Sequence, residues 1–199
     1  MADAGRVIAG TARGVRLAAP GPGTRPLTDR VKQTLFGILD PVLEGAAVLD
    51  LFAGSGAAAI EALSRGAASA VLVEKDAGAA RVIGENLRRA RVAVAATVVR
   101  RDAVAWLAEE AGRAEEPGRV RFDIVIVDPP YADTESLVRV LAAVGPLVAD
   151  RGVVVAKHFW RDAPPASVGL LASDRVRRFG ETALTFYRRT GVREEADEG

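Results

Sequence analysis

Five short apolar runs alternate along the chain with segments of helical periodicity: "AAVLDLF" (46–52), "SAVLVEK" (69–75), "ATVVRR" (96–101), "FDIVIVD" (122–128) and "GVVVAKHF" (152–159). Between them lie "GAAAIEALSRG", "AGAARVIGENLRRA", a segment from Asp102 to about Ala111, and "ESLVRVLAAV". Strands that are apolar along most of their length have both faces covered, and strands separated by helices pair in parallel. The expectation is an α/β chain with a parallel sheet between two helical layers. The end differs, because "DRVRRFGETALTFYRR" (174–189) has two β-prone stretches joined at "FGE", with no room for a helix. Five parallel strands and an antiparallel hairpin predict a mostly parallel, Rossmann-like sheet of seven strands.

The front of the chain is different. "RVIAG" and "VRLAA" are short β-prone pieces, so a small N-terminal β-hairpin is expected, followed by a Pro/Gly-punctuated linker "PGPGTRPL". "TDRVKQTLFGIL" then places Val31, Leu35, Ile38 and Leu39 on one helical face, with Thr28 or Asp29 as N-cap. Three units are therefore expected: a basic hairpin arm and linker over 1–26, a main domain over 27–190, and a disordered tail over 191–199. Net charge is only +1, yet Arg6, Arg13, Arg16, Arg25, Arg30 and Lys32 outnumber the acids of the first 32 residues. A basic arm on a slightly acidic body points to an anionic partner, with nucleic acid the leading candidate. Cysteine is absent and His158 is the single histidine, so no thiolate or His-rich metal centre can form and no metal is expected. No apolar run approaches the ~18 residues of a membrane span, and the start lacks a signal-peptide core; a cytoplasmic protein with no membrane partner is expected.

"VLDLFAGSGAAAIEAL" reads strand, glycine turn, helix. Gly54 and Gly56 let the backbone approach a ligand with no Cβ in the way, and the helix start directs free N–H groups toward it. Twenty residues beyond Gly54, at the end of the next strand, Glu74 can accept both hydroxyls of a ribose. The relaxed pattern also fits a dinucleotide site, with Ala59 in the third position. Two acids favour S-adenosylmethionine instead. Asp50 suits the cationic amino group of a methionine moiety and repels a pyrophosphate, and Asp102, after the third strand, suits an adenine amine.

The strand "FDIVIV" ends in Asp128, Pro129, Pro130 and Tyr131. The exocyclic amine of a nucleobase is a poor nucleophile, because its lone pair is delocalised into the ring. The Asp128 carboxylate and the Pro129 carbonyl, placed on its two N–H bonds, rotate the amine toward sp³ and aim the lone pair. Proline fixes φ and supplies no competing N–H. Tyr131 offers a face for an extruded base. In-line methyl transfer then needs mostly positioning. Gly54–Gly56, Glu74, Asp102 and Asp128 all fall at carboxyl ends of strands, hence on one rim.

With these blocks in place, the chain resembles the RsmD family, the bacterial 16S rRNA (guanine-N2)-methyltransferases, over nearly its whole length. The resemblance is carried by "RVIAGTARGVRL", "GTRPLTDRVKQTLF", "VLDLFAGSGAAAIEALSRGA", "VEKD", "VDPPY" and "FGETALTFYRR". The glycine and DPPY blocks mark amino-methyltransferases in general; "RPLTDRVKQTLF" and the "FGETALTFY" ending are narrower. The resemblance implies the class I S-adenosylmethionine-dependent methyltransferase fold. It also implies methylation of the N2 amine of a guanine (966 in the family's usual name) in 16S rRNA, with S-adenosylhomocysteine as product. The implied setting is an assembling 30S particle and a monomeric enzyme. By position, Asp50, Phe52, Gly54, Ser55, Gly56, Glu74, Lys75, Asp102 and Ala103 would line the donor pocket. Asp128, Pro129, Pro130 and Tyr131 would hold the target amine. Arg25, Thr28, Arg30 and Lys32 would face RNA at the mouth, with Arg6, Arg13 and Arg16 on the arm. Leu27, Gln33 and Ala58 replace residues common in the family, and Lys157 stands where the fifth strand often ends in an acid.

Among the remaining features, His158 reads as a strand-end residue with a local hydrogen bond, Trp106 as core, and Trp160 as a candidate second stacking surface for RNA. Three rival activities fit parts of the pattern. One is amino-methylation of another target such as adenine N6; the second is a dinucleotide-dependent oxidoreductase; the third is a non-catalytic RNA-binding factor on the same scaffold.

Overall fold

The computed structural model describes residues 3–21, 28–113, 116 and 120–191. The N-terminal hairpin pairs β1 (Asp3–Arg6) with β2 (Arg16–Ala18), antiparallel and with a bulge. The first strand thus begins ahead of "RVIAG"; Val7 to Val15 form the turn region instead, closed by Val7 N–H to Val15 C=O. Helix α1 (Asp29–Leu39) is capped by the Thr28 hydroxyl, which accepts from Val31 N–H, as expected for a Thr N-cap.

From there strands and helices alternate: β3 (Ala47–Asp50), α2 (Ala57–Ser64), β4 (Ser69–Val73), α3 (Ala77–Ala90), β5 (Ala96–Val99), α4 (Ala103–Ala111), β6 (Phe122–Val127), α5 (Thr134–Val144) and β7 (Val148–Phe159). Each of the strands β3 to β7 has the apolar run that predicts it, and β7 extends the expected run toward its amino end. The antiparallel finish is β9 (Leu171–Phe179) and β10 (Thr182–Arg189), turning at Gly180 and Glu181. A two-residue strand, β8 (Ser167–Val168), adds itself to β9, so among the described residues the sheet has eight strands where seven were expected. Too short for a periodicity signal, β8 exists through its pairing alone. The sheet order is β5-β4-β3-β6-β7-β10-β9-β8. The contacts β5-β4, β4-β3, β3-β6 and β6-β7 are parallel, and those made by β10 and β9 are antiparallel.

Period-two alternation divides the core between the two faces. Val48, Ile124, Ile126, Val153, Val155, Leu184 and Phe186 pack on the side of α1, α2 and α3. Leu49, Val125, Val127, Val154, Ala156 and Tyr187 pack on the side of α4 and α5. The hairpin joins the first of these cores through Ala4, Val7 and Leu17. Glu61, fully buried on α2, accepts from Ile8 N–H at 2.7 Å and Ala9 N–H at 3.0 Å. Ser64 bridges Ala9 C=O and Ala12 N–H. Gly10 sits against this helix at φ +81°, where a Cβ would lie 1.7 Å from Ser64 O. No helix among the described residues is long and apolar enough to cross a membrane.

Candidate active site

The carboxyl ends of β3, β4, β5 and β6 open on one cavity of about 520 Å³. Its wall includes Asp50, Phe52, Gly54, Ser55, Glu74, Lys75, Asp102 and Ala103 on one side, and Asp128, Pro129, Pro130 and Tyr131 on the other. The two motifs singled out in the sequence therefore face a common space. Gly56, expected in the donor pocket, does not line this cavity; it is the N-cap of α2 at φ 77°. A Cβ there would meet Leu72 and Ile83 at 3.2 and 3.3 Å, so glycine is needed both for the turn and for the packing beneath it.

Glu74 is held by its neighbours. Oε2 accepts from Gly54 N–H at 2.8 Å and Oε1 from Asp76 N–H at 2.9 Å. These bonds fix the carboxylate against the glycine turn while leaving further lone pairs on each oxygen for hydroxyl donors. Asp102 uses Oδ1 to cap α4, accepting from Val104 and Ala105 N–H at 3.0 and 3.1 Å. Its other oxygen has no described partner.

Asp50 is buried at the cavity floor, and its pKa is pushed up to about 7. Burial is the main cause, followed by the Asp128 charge; the N–H groups of Ala59 and Phe52 and the charge of Glu74 act more weakly, the N–H groups in the opposite direction. Asp128 is also raised, by burial, and partly brought back by Lys157. Lys157 Nζ lies 2.6 Å from Asp128 Oδ1 and 5.0 Å from the centroid of Tyr131. The Tyr131 hydroxyl in turn shares a 2.5 Å hydrogen bond with Thr182 Oγ1 on β10. The two acids at the base of the cavity crowd negative charge where a ligand would carry positive charge, and one lysine restrains the outer acid.

Several contributors are not in the motifs. Lys157, singled out in the sequence only as a replacement for an acid, meets Asp128 through strand register, since β6 and β7 pair Val127 with Ala156 and place Asp128 beside Lys157. Pro20, Gly21 and Arg101 also line the cavity. Asn86, buried on α3, accepts from Ala18 N–H and donates to Ala18 C=O and Ser55 C=O, each at 2.9 Å. It thereby fastens the glycine turn to the segment carrying Pro20 and Gly21. A lone Asn in an amphipathic helix gives no such signal in advance.

The basic residues expected at the RNA side divide. Lys32 is fully buried, and its ammonium donates to Arg6 C=O and lies 3.6 Å from Asp29. It fastens the hairpin to α1 and cannot reach a macromolecule, which corrects the surface role expected of it. Arg6 pairs with Asp29 at 3.3 Å and Arg16 with Asp3 at 2.8 Å. Arg13, Thr28 and Arg30 are exposed. Arg25 lies outside the described residues, as do Leu27 and all but Gly191 of the expected tail. His158 is buried, with Nδ1 on Phe159 C=O and Nε2 on Thr185 Oγ1, both at 2.8 Å, and Trp106 belongs to the core.

A family model described as "Conserved hypothetical protein 95" matches residues 5–188. Ribosomal RNA small subunit methyltransferase D of Escherichia coli (strain K12) is 36% identical over 92% of this chain and 89% of its own length. YlbH of Bacillus subtilis (strain 168) is 35% identical over 94% of this chain and 100% of its own. Among solved structures, yhhF from Escherichia coli superposes with a TM-score of 0.79 at 32% identity, covering 92% of this chain and 97% of that one. The fold is the class I, Rossmann-like methyltransferase fold with an antiparallel C-terminal hairpin. On the span of the matched model and the identity with these relatives over nearly their full lengths, the chain belongs to the RsmD family.

Proposed function

We propose that this protein transfers the methyl group of S-adenosylmethionine to the exocyclic N2 amine of a guanine in 16S ribosomal RNA. The observation that carries the reading is the single cavity bounded by the glycine turn and by Asp128 to Tyr131. The name of the Escherichia coli relative, Ribosomal RNA small subunit methyltransferase D, supports ribosomal RNA as the substrate class.

The residues present suit this donor. Asp50, Glu74 and Asp102 offer acceptors for an ammonium, a ribose and an adenine amine, and a site so rich in carboxylates disfavours a pyrophosphate. When bound, the donor supplies an electrophilic methyl next to a sulfonium charge. The chain's own task is to hold and activate the amine. With Oδ1 of Asp128 engaged by Lys157, Oδ2 is left to accept one N–H of the base, and the Pro129 carbonyl accepts the other. Tyr131, fixed by Thr182, gives the base a face to stack on. Activation by two acceptors requires Asp128 as a carboxylate, which the adjacent ammonium favours. The substrate is taken to be an assembling 30S particle, with the enzyme acting as a monomer.

Incubating small-subunit precursors from a strain lacking the enzyme with labelled donor, followed by nucleoside analysis, tests the reading. N2-methylguanosine is the expected product; methylated adenine or an unlabelled RNA fraction overturns it.

A further inference from the structure

Beyond the cavity lies a second chamber of about 470 Å³, lined by Thr28, Arg30, Tyr131, Lys157, Arg178 and Thr182 among others. It shares Tyr131 and Lys157 with the first. From Tyr131 a line of rings runs outward: Phe159 at 6.5 Å, edge-on, then Trp160 a further 6.4 Å along. The Arg178 guanidinium lies 3.6 Å from the Trp160 ring centroid, and that of Arg161 lies 4.9 Å from it. Arg178 is also oriented by donating from Nε to Gly180 C=O at 2.9 Å. Next to this cluster, beyond Ser173, the outer edge of β9 has no strand partner among the described residues, because β8 pairs with Leu171 and Ala172 and Ser173 N–H is taken by Ala166 C=O. That edge carries the exposed Arg175, Arg177 and Arg178.

We propose that Trp160, Arg178 and Arg161, with Arg30 at the chamber mouth, bind the unpaired RNA strand flanking the target nucleotide. Single-strand sites combine aromatic platforms for bases with a cationic track for phosphates, and here the two elements meet and continue into the catalytic loop. A guanidinium stacked on an indole keeps its outer face free for a base and its N–H fork free for phosphate. Charge distinguishes this surface from the N-terminal arm. On the arm, Arg6 and Arg16 are paired with acids and only Arg13 among the described cations is exposed without an ion pair, while Lys32 is buried. Arg30, Arg161, Arg175, Arg177 and Arg178, by contrast, all lack an ion-pair partner among the described residues. Arginine on an open edge also deters pairing with another strand. Edge protection needs only charge, though, and does not call for the stacking of Arg178 on Trp160 beside the catalytic tyrosine.

The inference rests on RNA as the substrate, and the test separates the two. Binding of a short labelled oligouridine is followed by anisotropy at several salt concentrations for the wild type, Trp160→Ala, Arg178→Ala and Arg30→Ala/Arg178→Ala. S-adenosylhomocysteine calorimetry on the same samples reports folding of the donor site. Each single variant is expected to bind the oligomer about tenfold more weakly. The double variant is expected to show a shallower salt dependence, by roughly one to two units of slope. Unchanged affinity and slope, with donor-site binding intact, overturn the proposal even if the wild type methylates ribosomal RNA. So does an equal, equally mutation-sensitive affinity for polyglutamate, which marks an acidic protein partner instead. Loss of oligomer binding in the variants of a protein that labels no ribosomal RNA upholds the surface and overturns the substrate reading.

Discussion

Lys157 Nζ sits 2.6 Å from Asp128 Oδ1 and 5.0 Å from the centroid of the Tyr131 ring, so one cation touches both ends of the DPPY loop. Asp128 lies in a setting where burial favours the neutral acid. A protonated Asp128 has one acceptor fewer and a donor in its place, which defeats its use as a grip on an amine. The lysine opposes that outcome through charge and hydrogen bonding, and it selects which carboxylate oxygen remains available.

Replacing Lys157 by Met retains the side chain's bulk but removes the influence that lowers the Asp128 pKa. The proposed activation of the amine needs the carboxylate, so the rate is expected to decline as pH falls through that pKa. With the pKa raised further in the variant, this decline is expected at higher pH than in the wild type. The measurement is kcat/KM for RNA against pH. An acid limb at the wild-type position would show that the lysine does not govern Asp128.

Asp128→Ala removes a wall of the cavity without touching Glu74, Asp102 or the glycine turn. The expected outcome is a loss of methyl transfer of about a hundredfold or more, the scale for deleting a preorganised polar group that acts on the reacting centre. Binding of S-adenosylhomocysteine, followed by calorimetry, is expected to be at least as tight as in wild type, since removing the Asp128 charge also eases ionisation of Asp50. Normal turnover in this variant would remove the catalytic assignment.

Asp50 is expected to link donor binding to pH. Its folded-state pKa of about 7, against an ordinary 3.8, means the free protein binds a proton there across that interval while the unfolded chain does not. Stability contributed by this group therefore falls as pH rises from near 3.8 to about 7 and is level above it. An ammonium group beside Asp50 requires the ionised form, so affinity for S-adenosylhomocysteine is expected to rise through the same interval. Calorimetry across that range checks the slope, and Asp50→Asn is expected to weaken binding and flatten it. A wild-type affinity that does not change with pH would place the amino group elsewhere.

The alternation of apolar runs was enough to recover the parallel strands, because each is buried on both faces and so carries its own signal. The pieces that sequence hides depend on partners distant in the chain. Strand β8 exists only through β9. Lys32, basic and close to other basic residues, looks like surface; it is buried because Arg6 C=O and Asp29 supply its hydrogen bond and counter-charge. The cavity residues Gly54, Glu74, Asp102 and Asp128 were legible for the opposite reason, since parallel strands bring their carboxyl ends to one edge whatever lies between. Lys157 was placed on the rim by its position at the end of the fifth run, but its contact with Asp128, like the role of Asn86, needed the register of neighbouring elements.

Asn86 joins three backbone groups that are far apart in sequence: Ala18 N–H, Ala18 C=O and Ser55 C=O. Asn86→Leu keeps the volume but leaves those groups buried without a partner, each at a cost of about 1 to 3 kcal/mol where water cannot enter. A loss of roughly 3 kcal/mol in urea unfolding is expected. The same substitution loosens the wall that carries Pro20 and Gly21 against the glycine turn, all of which border the donor cavity. Affinity for S-adenosylhomocysteine should therefore fall by about tenfold at temperatures where the variant is still folded. A destabilised variant that binds the ligand as tightly as wild type would restrict Asn86 to holding the fold together, with no part in shaping the site.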